Sequence, residues 1–461
     1  MPAVLAQERE RPLGQRLWSR VLHDQPRRFQ LILGPRRVGK TTVMYQTVRH
    51  LLAHGVAESD LWWLRLDHPM LMRESLGNLV RSVLDTRRAP SDRPLYLFLD
   101  EVVYAQDWDL WLKTFYDDRW PVRVVATSSA TAALRGHRLE SGVGRWQEQY
   151  LSPCLFTEFL DLVGVEADLT IEDTLADSLQ GLTTAPALMP RLSARRRDFL
   201  LIGGFPELLL GAAVNDDDQS QLLRSQQVLR GDAVERAIYK DIPQSFDLDS
   251  PMVLERLLYV LAGQIGGLLS ARGICAELGG LSQPTFDRYL SYLKHAFLIF
   301  TLANYSGREM TVQKRGRKLY FVDGAIRNAA LQRGVAPLTN PTEMGLLLEN
   351  LVASTLHALA SHAGLRLFHW RDGKHEVDLI LDHPDAPLAF EIGSSSDHPR
   401  RGLQALMDRH PRFRDRTYVV APDAPVVRPP AHQSGVGTLP LDLFLVVAGR
   451  QAERHLISHL H

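Results

Sequence analysis

The sequence predicts an α/β fold for its first third, and three observations carry that prediction. Short apolar runs alternate with helix-like stretches, at Phe29–Gly34, Leu61–Asp67, Tyr96–Asp100, Val122–Ser128 and Glu148–Leu151. The first run leads into Gly34-Pro35-Arg36-Arg37-Val38-Gly39-Lys40-Thr41, a complete G-x-x-x-x-G-K-[ST] pattern, and the helical stretch TTVMYQTVRHLL leaves it. The third run is apolar along its length and closes on two acids, Asp100 and Glu101. A strand apolar on both faces is buried on both, as in a parallel sheet covered by helices. The expected fold is therefore an α/β P-loop NTPase, a parallel sheet flanked by helices.

Each element has a chemical reading. Gly34 and Gly39 let consecutive backbone N–H groups of the loop, with Pro35, Arg36, Arg37 and Val38 between them, face the phosphates of a nucleotide. Lys40 reaches the β and γ oxygens, and the hydroxyl of Thr41, followed by Thr42 in the helix's first turn, meets Mg²⁺. The expected ligands are ATP and Mg²⁺. Asp100 would hold the metal through water and Glu101 would polarise the attacking water. Thr127, Ser128 and Ser129 close the next strand, where a small polar side chain orients that water from the other side; Ser129 also reads as a helix cap. Arg145, in SGVGRWQEQYLSP, stands where an arginine is presented to the γ-phosphate of a neighbouring subunit, with Arg138 in the same loop as the alternative. A trans arginine requires a homo-oligomer.

Composition sets the outer bounds. With 461 residues, a length prior of about three domains applies. Lys+Arg and Asp+Glu are 53 each, so any basic surface is local. Cys154 and Cys275 stand far apart in apolar surroundings, which excludes a disulfide scaffold and a Cys-rich zinc site and fits a reducing cytoplasm. The opening MPAVLAQERERPLG lacks a signal-peptide pattern, and runs such as LLYVLAGQIGGLL are too short and broken to span a bilayer. No membrane association is expected.

Downstream the pattern changes. Residues from about Asp161 to Pro190 read as a loose insertion or linker, followed by a helical stretch at Asp198–Gly211, an acidic loop at Asn215–Asp218 and a long polar helix over Gln219–Lys240. From Pro251 to about Phe300 three amphipathic helices follow. The last two, in SARGICAELGGLSQPTFDRYLSYLKHAFLI, are separated by a tight turn at Gly279-Gly280, and Ser282 before Pro284 is a helix start signal. Phe286, Leu290, Leu293 and Phe297 share one face; Gln283, Thr285 and Arg288 share the other, as in a recognition helix. The basic run Lys314-Arg315-Gly316-Arg317-Lys318 fits a wing hairpin touching phosphates. DNA is the expected partner of this winged-helix pattern, with a protein–protein adaptor as the rival. A helix at Glu343–Ala360 and strands at Leu365–His369, Glu376–Leu381, Ala389–Ile392 and Thr417–Val420 complete the chain.

GPRRVGKTT, LDHP, FLDEV with Trp108 after it, ATSSA, SGVGR and LSPCLFTEFL resemble the prokaryotic AAA+ ATPases of the AAA_14 type fused to a DUF4143 region. GGFPE at Gly203–Glu207, KDI at Lys240–Ile242, KLYFVDGAI at Lys318–Ile326, GLLLEN at Gly345–Asn350 and WRDGKHEVDLIL at Trp370–Leu381 agree, so the resemblance runs from roughly Leu17 to Ser394. It implies an AAA+ core over 1–160, a variable insertion and helical lid over 161–250, a winged helix over 251–320 and an α/β domain like the PD-(D/E)xK nucleases over 321–461. In that nuclease frame Glu349, Asp378 and Glu391 gather a divalent metal, and a lysine two residues after the last acid positions the attacking water. Gly393 stands at that place here, so a weak metal site without cleavage is expected, with Lys374 as the candidate spatial substitute. The resulting expectation is an ATPase that couples hydrolysis to DNA engagement. Its rivals are an ATP-gated switch acting on a protein partner and an ATP-regulated metal-dependent nuclease.

Overall fold

The five apolar runs form five parallel strands: β1 (Phe29–Leu33), β2 (Leu61–Arg65), β3 (Leu95–Asp100), β4 (Val122–Ser128) and β5 (Trp146–Tyr150), in the order β2-β3-β4-β1-β5. They belong to a computed structural model that describes residues 10–23, 25–86, 93–129, 144–214, 219–307, 316–430 and 435–458. Every residue of β1 and β3 is buried, as uninterrupted apolarity requires. Helices α1 (Pro12–His23), α2 (Lys40–Ala53), α3 (Leu76–Asp85) and α4 (Trp108–Asp117) accompany this sheet. Because β4 lies between β1 and β3, the carboxyl ends of these three strands are neighbours: Leu33 pairs with Ser128, and Leu99 with Ala126. That order brings the glycine-rich loop, the two acids and the Thr/Ser cluster to one edge. The first part is a P-loop NTPase fold.

After β5 come α5 (Phe156–Leu162), α6 (Leu175–Gln180), α7 (Met189–Ile202), α8 (Pro206–Val214) and α9 (Gln219–Leu229). The stretch read as a loose insertion carries α6, capped by the Thr174 hydroxyl. The helical stretch Asp198–Gly211 is interrupted at Gly203-Gly204. A Cβ at Gly203 would lie 2.6 Å from the Cβ of Ala325, and one at Gly204 would lie 2.2 Å from the carbonyl of Cys154, so this break is where distant segments touch. The polar helix continues past α9 as π-helical turns over Arg230–Glu235 and Ala237–Asp241. At about 4.4 residues per turn Asp232 and Asp241 come round to one face, whereas an α-helix would set them on opposite faces.

Three further helices follow, α10 (Pro251–Ala262), α11 (Ala271–Glu277) and α12 (Gln283–His295). The Ser282 hydroxyl accepts the N–H of Thr285 at 3.2 Å, and Phe286, Leu290 and Leu293 are buried. A hairpin of β6 (Ile299–Asn304) and β7 (Lys318–Phe321) follows. Lys314 and Arg315 lie outside the described residues. A seven-stranded sheet, β12-β11-β10-β9-β8-β6-β7, takes this hairpin as its edge, so the boundary expected at 320/321 cuts through β7. The reason is register: Ala303 and Asn304 of β6 pair in parallel with Phe368 and His369.

The rest of this sheet comes from β8 (Arg366–Asp372), β9 (His375–Asp382), β10 (Leu388–Ile392), β11 (Thr417–Ala421) and β12 (Gly437–Pro440), with helices α13 (Gly324–Ala330), α14 (Pro341–Ala363), α15 (Arg401–Arg409) and α16 (Leu441–Ser458). β12 escaped sequence reading because Gly and Pro bound its four residues and punctuate like a turn. The last helix packs on α14 and also on α1, α5, α6 and α7, and one hydrophobic core runs from Leu13 to Leu456. No helix of the described residues is long and apolar enough to cross a membrane.

Asp323 holds the junction of these parts. Its carboxylate is buried and accepts the N–H of Gly204 and the N–H of Ala325, both at 2.7 Å. Gly204 in turn accepts the N–H of Cys154 at 2.6 Å. Asn350 on α14 clamps the neighbouring strand, accepting from Phe321 N–H at 2.8 Å and donating to its carbonyl at 3.1 Å. Replacing Asp323 by Ala would leave two buried donors unpaired and remove the cap of α13, a loss of about 2–5 kcal/mol. Urea denaturation of the Asp323→Ala variant should show it, with Asp323→Asn, which keeps one acceptor oxygen, falling between the two.

Candidate functional site

The glycine-rich loop is shaped by contacts a side chain would prevent. A Cβ at Gly34 would lie 2.2 Å from the carbonyl of Leu151, and Gly39, at φ 89°, takes a left-handed conformation as the residue before α2. Arg37 holds φ 63° without being glycine, and Glu101 holds φ 55°. Such strain persists where surrounding contacts over-determine it. The loop ends at the N-terminus of α2, whose first N–H groups and positive dipole end suit phosphate.

Lys40 is buried, and its ammonium donates to the carbonyls of Gly34 at 3.0 Å and Pro35 at 2.9 Å. Burial above all lowers its pKa, while Glu101 pulls the other way. The Thr41 hydroxyl faces both carboxylate oxygens of Asp100 at 3.3 Å. A hydroxyl and a carboxylate are hard oxygen donors, so this pair fits the Mg²⁺ of ATP-Mg. Asp100 also accepts from the Thr127 hydroxyl at 2.7 Å; burial raises its pKa and that bond opposes the rise.

Glu101 is held from two sides. Its backbone N–H donates to the Thr127 hydroxyl at 2.9 Å, and its carboxylate accepts the N–H of Ser129 at 3.1 Å and the Ser129 hydroxyl at 3.0 Å. Of the three small polar residues, Thr127 and Ser129 therefore reach the acids, while Ser128 is buried at the strand end. Arg145 stands before β5, with its carbonyl accepting the N–H of Phe29, the first residue of β1. That is the end of the sheet opposite the glycine-rich loop, and its guanidinium pairs with Asp117 at 2.8 Å. Arg138 lies outside the described residues.

Sequence reading missed the acids that meet the loop arginines. Arg36 forms a two-pronged ion pair with Asp241, and Arg37 pairs with both Glu207 and Asp232. Asp241 also accepts from the Tyr104 hydroxyl at 3.2 Å and lies 3.5 Å from the Ser129 hydroxyl, which links it to the partner of Glu101. Burial, then Asp241, pushes Tyr104 up to about 12. The two sequence signals were GGFPE, which ends on Glu207, and KDI, which contains Asp241. The π-helical turns explain why spacing could not show that Asp232 and Asp241 act together.

Arg36, Arg37, Lys40, Thr41, Glu101, Glu207 and Asp232 line one wall of a cleft of about 800 Å³, the size of a small-molecule site. The other wall has Arg11 and Gln15 near the chain start, Pro206 and Leu210 of α8, and Arg450 and Glu453 of α16. The last helix of the chain thus borders the same cleft as the glycine-rich loop.

The expected DNA contacts fare differently. Arg288 is exposed on α12 and pairs with Asp249 at 2.5 Å, and Arg317 pairs with Asp287 at 3.2 Å. Lys318 corrects the wing reading: it is 2% exposed, and its ammonium lies 2.7 Å from Glu376, 2.8 Å from Asp378 and 3.8 Å from Glu349. A lysine enclosed by carboxylates cannot meet a phosphate. Burial works against its charge, but Asp378 and Glu349 outweigh it and raise its pKa. Glu391 lies beside this cluster, bonded to His398 at 3.1 Å, and burial raises both Glu349 and Glu391. Lys374 stays exposed in the turn between β8 and β9.

The family model AAA_14, described as an AAA domain, matches residues 26–160. DUF8612 and DUF4143, each described as a domain of unknown function, match 194–336 and 344–431. Uncharacterized protein MJ1637 of Methanocaldococcus jannaschii is 23% identical over 396 residues, covering 84% of this chain and 80% of that protein. An uncharacterized protein of Haemophilus influenzae is 21% identical over 396 residues, covering 84% and 88%. Among solved structures, the Walker-type ATPase PABY2304 of Pyrococcus abyssi aligns with a TM-score of 0.41 at 15% identity, over 71% of this chain and 99% of that one. The Holliday junction branch migration motor RuvB of Thermotoga maritima aligns at 0.33 and 17%, over 67% and 89%.

The buried Lys40 yields a direct prediction. Lys40→Ala removes the main counter-cation for the β and γ phosphates from an enclosed loop, so calorimetric titration with a non-hydrolysable ATP analogue should detect no tight binding. Affinity equal to that of the unaltered protein would refute the assignment of this site.

Proposed function

We propose that this chain, which belongs to the P-loop ATPase family joining AAA_14 and DUF4143 regions, binds ATP with Mg²⁺, hydrolyses it between subunits, and couples turnover to DNA engagement. The observation that carries the ATPase reading is the bonded set Thr41–Asp100–Thr127–Glu101–Ser129, of which Thr41 and Glu101 line the cleft. Lys40 and the α2 N-terminus take the phosphates, with Thr41 and Asp100 holding the metal. Glu101, aimed by Ser129 and the strained backbone at its own position, accepts a proton from the attacking water. Arg145, at the far end of the sheet, serves the γ-phosphate of a neighbouring copy, so the working unit is a homo-oligomer. Nothing in this chemistry needs a membrane, and the two buried thiols suit the cytoplasm.

Support for the DNA part is the order helix–turn–helix followed by a hairpin, which is that of a winged helix, with Gln283 and Arg288 exposed on α12. The Arg288–Asp249 pair is a surface pair of small worth, which a phosphate can displace. Coupling would run through the two structures that border the cleft from outside the core: the π-helical segment bearing Asp232 and Asp241, and α16 of the nuclease-like domain.

Glu101→Gln should bind the ATP analogue normally and hydrolyse ATP at least ~100-fold more slowly, as loss of a positioned base predicts. Arg145→Ala should behave alike, and mixing the two inactive proteins should restore part of the activity, because some interfaces then carry both groups. A mixture with no recovered activity would remove the trans role. ATPase rates measured with single-stranded, duplex and branched DNA test the coupling; a rate unmoved by all three would favour the ATP-gated switch with a protein partner.

A further inference from the structure

Glu376 and Asp378 of β9 and Glu391 of β10 stand together with Glu349 of α14, and the frame this domain resembles puts a lysine at 393. That position cannot take one here. A Cβ on Gly393 would lie 2.6 Å from the carbonyl of Ser395 and 2.7 Å from the Cβ of His398. The cation in this cluster arrives from another strand. Lys318 extends from β7, is almost fully enclosed, and donates to Asp378 at 2.8 Å while pairing with Glu376 at 2.7 Å.

Three further oxygens of the cluster are engaged from within. Asp378 accepts the N–H of Ile392 through its second oxygen at 3.0 Å, and Glu349 accepts the Tyr320 hydroxyl at 2.7 Å. Glu391 is bonded to His398. A hard divalent ion needs several oxygens converging on one point. Among the described residues no group of three or more His, Cys, Asp or Glu side chains is arranged to hold one. The residues present do not fit the metal that the nuclease frame implies.

We propose that the Lys318 ammonium is the resident cation of this carboxylate cluster, standing in the space a divalent metal would need and closing the centre to metal-dependent hydrolysis. A buried ammonium between two carboxylates, with further acids nearby, is held by charge and hydrogen bonds that water would otherwise supply. It also ties the hairpin after the helix–turn–helix to β9. Losing the ammonium leaves like charges crowded together, an arrangement that recruits a cation.

The test is Mn²⁺ binding to the full chain without nucleotide, followed by electron paramagnetic resonance. Unaltered protein should show no Mn²⁺ binding that Asp378→Asn removes. Lys318→Ala should bind Mn²⁺ at least ~10-fold more tightly, since a unit charge a few ångströms away is worth that much. The Lys318→Ala/Asp378→Asn double variant should lose the gain. A folded Lys318→Ala variant with unchanged Mn²⁺ affinity overturns the proposal. Should Lys318→Ala fail to fold, the unaltered protein decides: Asp378-dependent Mn²⁺ binding refutes the proposal, and its absence upholds it. Plasmid cleavage in Mn²⁺ by the unaltered protein, abolished by Asp378→Asn, also overturns it by making Lys318 a lysine that positions water.

Discussion

A single buried carboxylate sets how the parts of this protein sit together. Asp323 is buried, and its two backbone partners, on Gly204 and Ala325, satisfy its two oxygens. Gly204 is itself pressed against Cys154, at the exit of the core sheet, so one side chain fixes three segments far apart in sequence. The glycines, the apolar Phe205 and the clamp at Asn350 all follow from that need for close approach. Several of the motifs that mark the family, GGFPE, LSPC, KLYFVDGAI and GLLLEN, meet at this joint. Their work there is to join domains.

The same joint fixes the nucleotide cleft. It anchors the start of α8, which brings Glu207 to Arg37, and the chain then returns through π-helical turns with Asp232 and Asp241. Two arginines of the phosphate loop are thereby tied to acids outside the core, and Asp241 reaches Ser129, the residue that aims Glu101. On the proposed function, phosphates entering the loop would meet a field already balanced between the loop arginines and the acids that follow the core.

What could be read from sequence depended on whether the determinant was local. The phosphate loop was legible because a phosphate needs consecutive backbone N–H groups, which forces glycines at fixed spacing. Asp100 and Glu101 were legible because an apolar strand ending in acids has few other uses. The five core strands were placed within a residue or two for the same reason. Asp232 and Asp241 were illegible, since α-helical spacing sends them to opposite faces. Lys318 was misread because five residues of Lys, Arg and Gly read as a solvated wing; its acids lie on β9 and α14, and only pairing of β6 with β8 brings them near. The misplaced domain boundary has that same origin.

The cleft borrowed part of its wall from α16, and this has a consequence in time. A chain emerging from the ribosome can build its core sheet and phosphate loop early, since domains fold as their residues appear. Arg450 and Glu453 emerge hundreds of residues later. Until they do, that wall lacks the part α16 supplies, and the nascent core presents to the cell a phosphate loop whose cleft is incomplete.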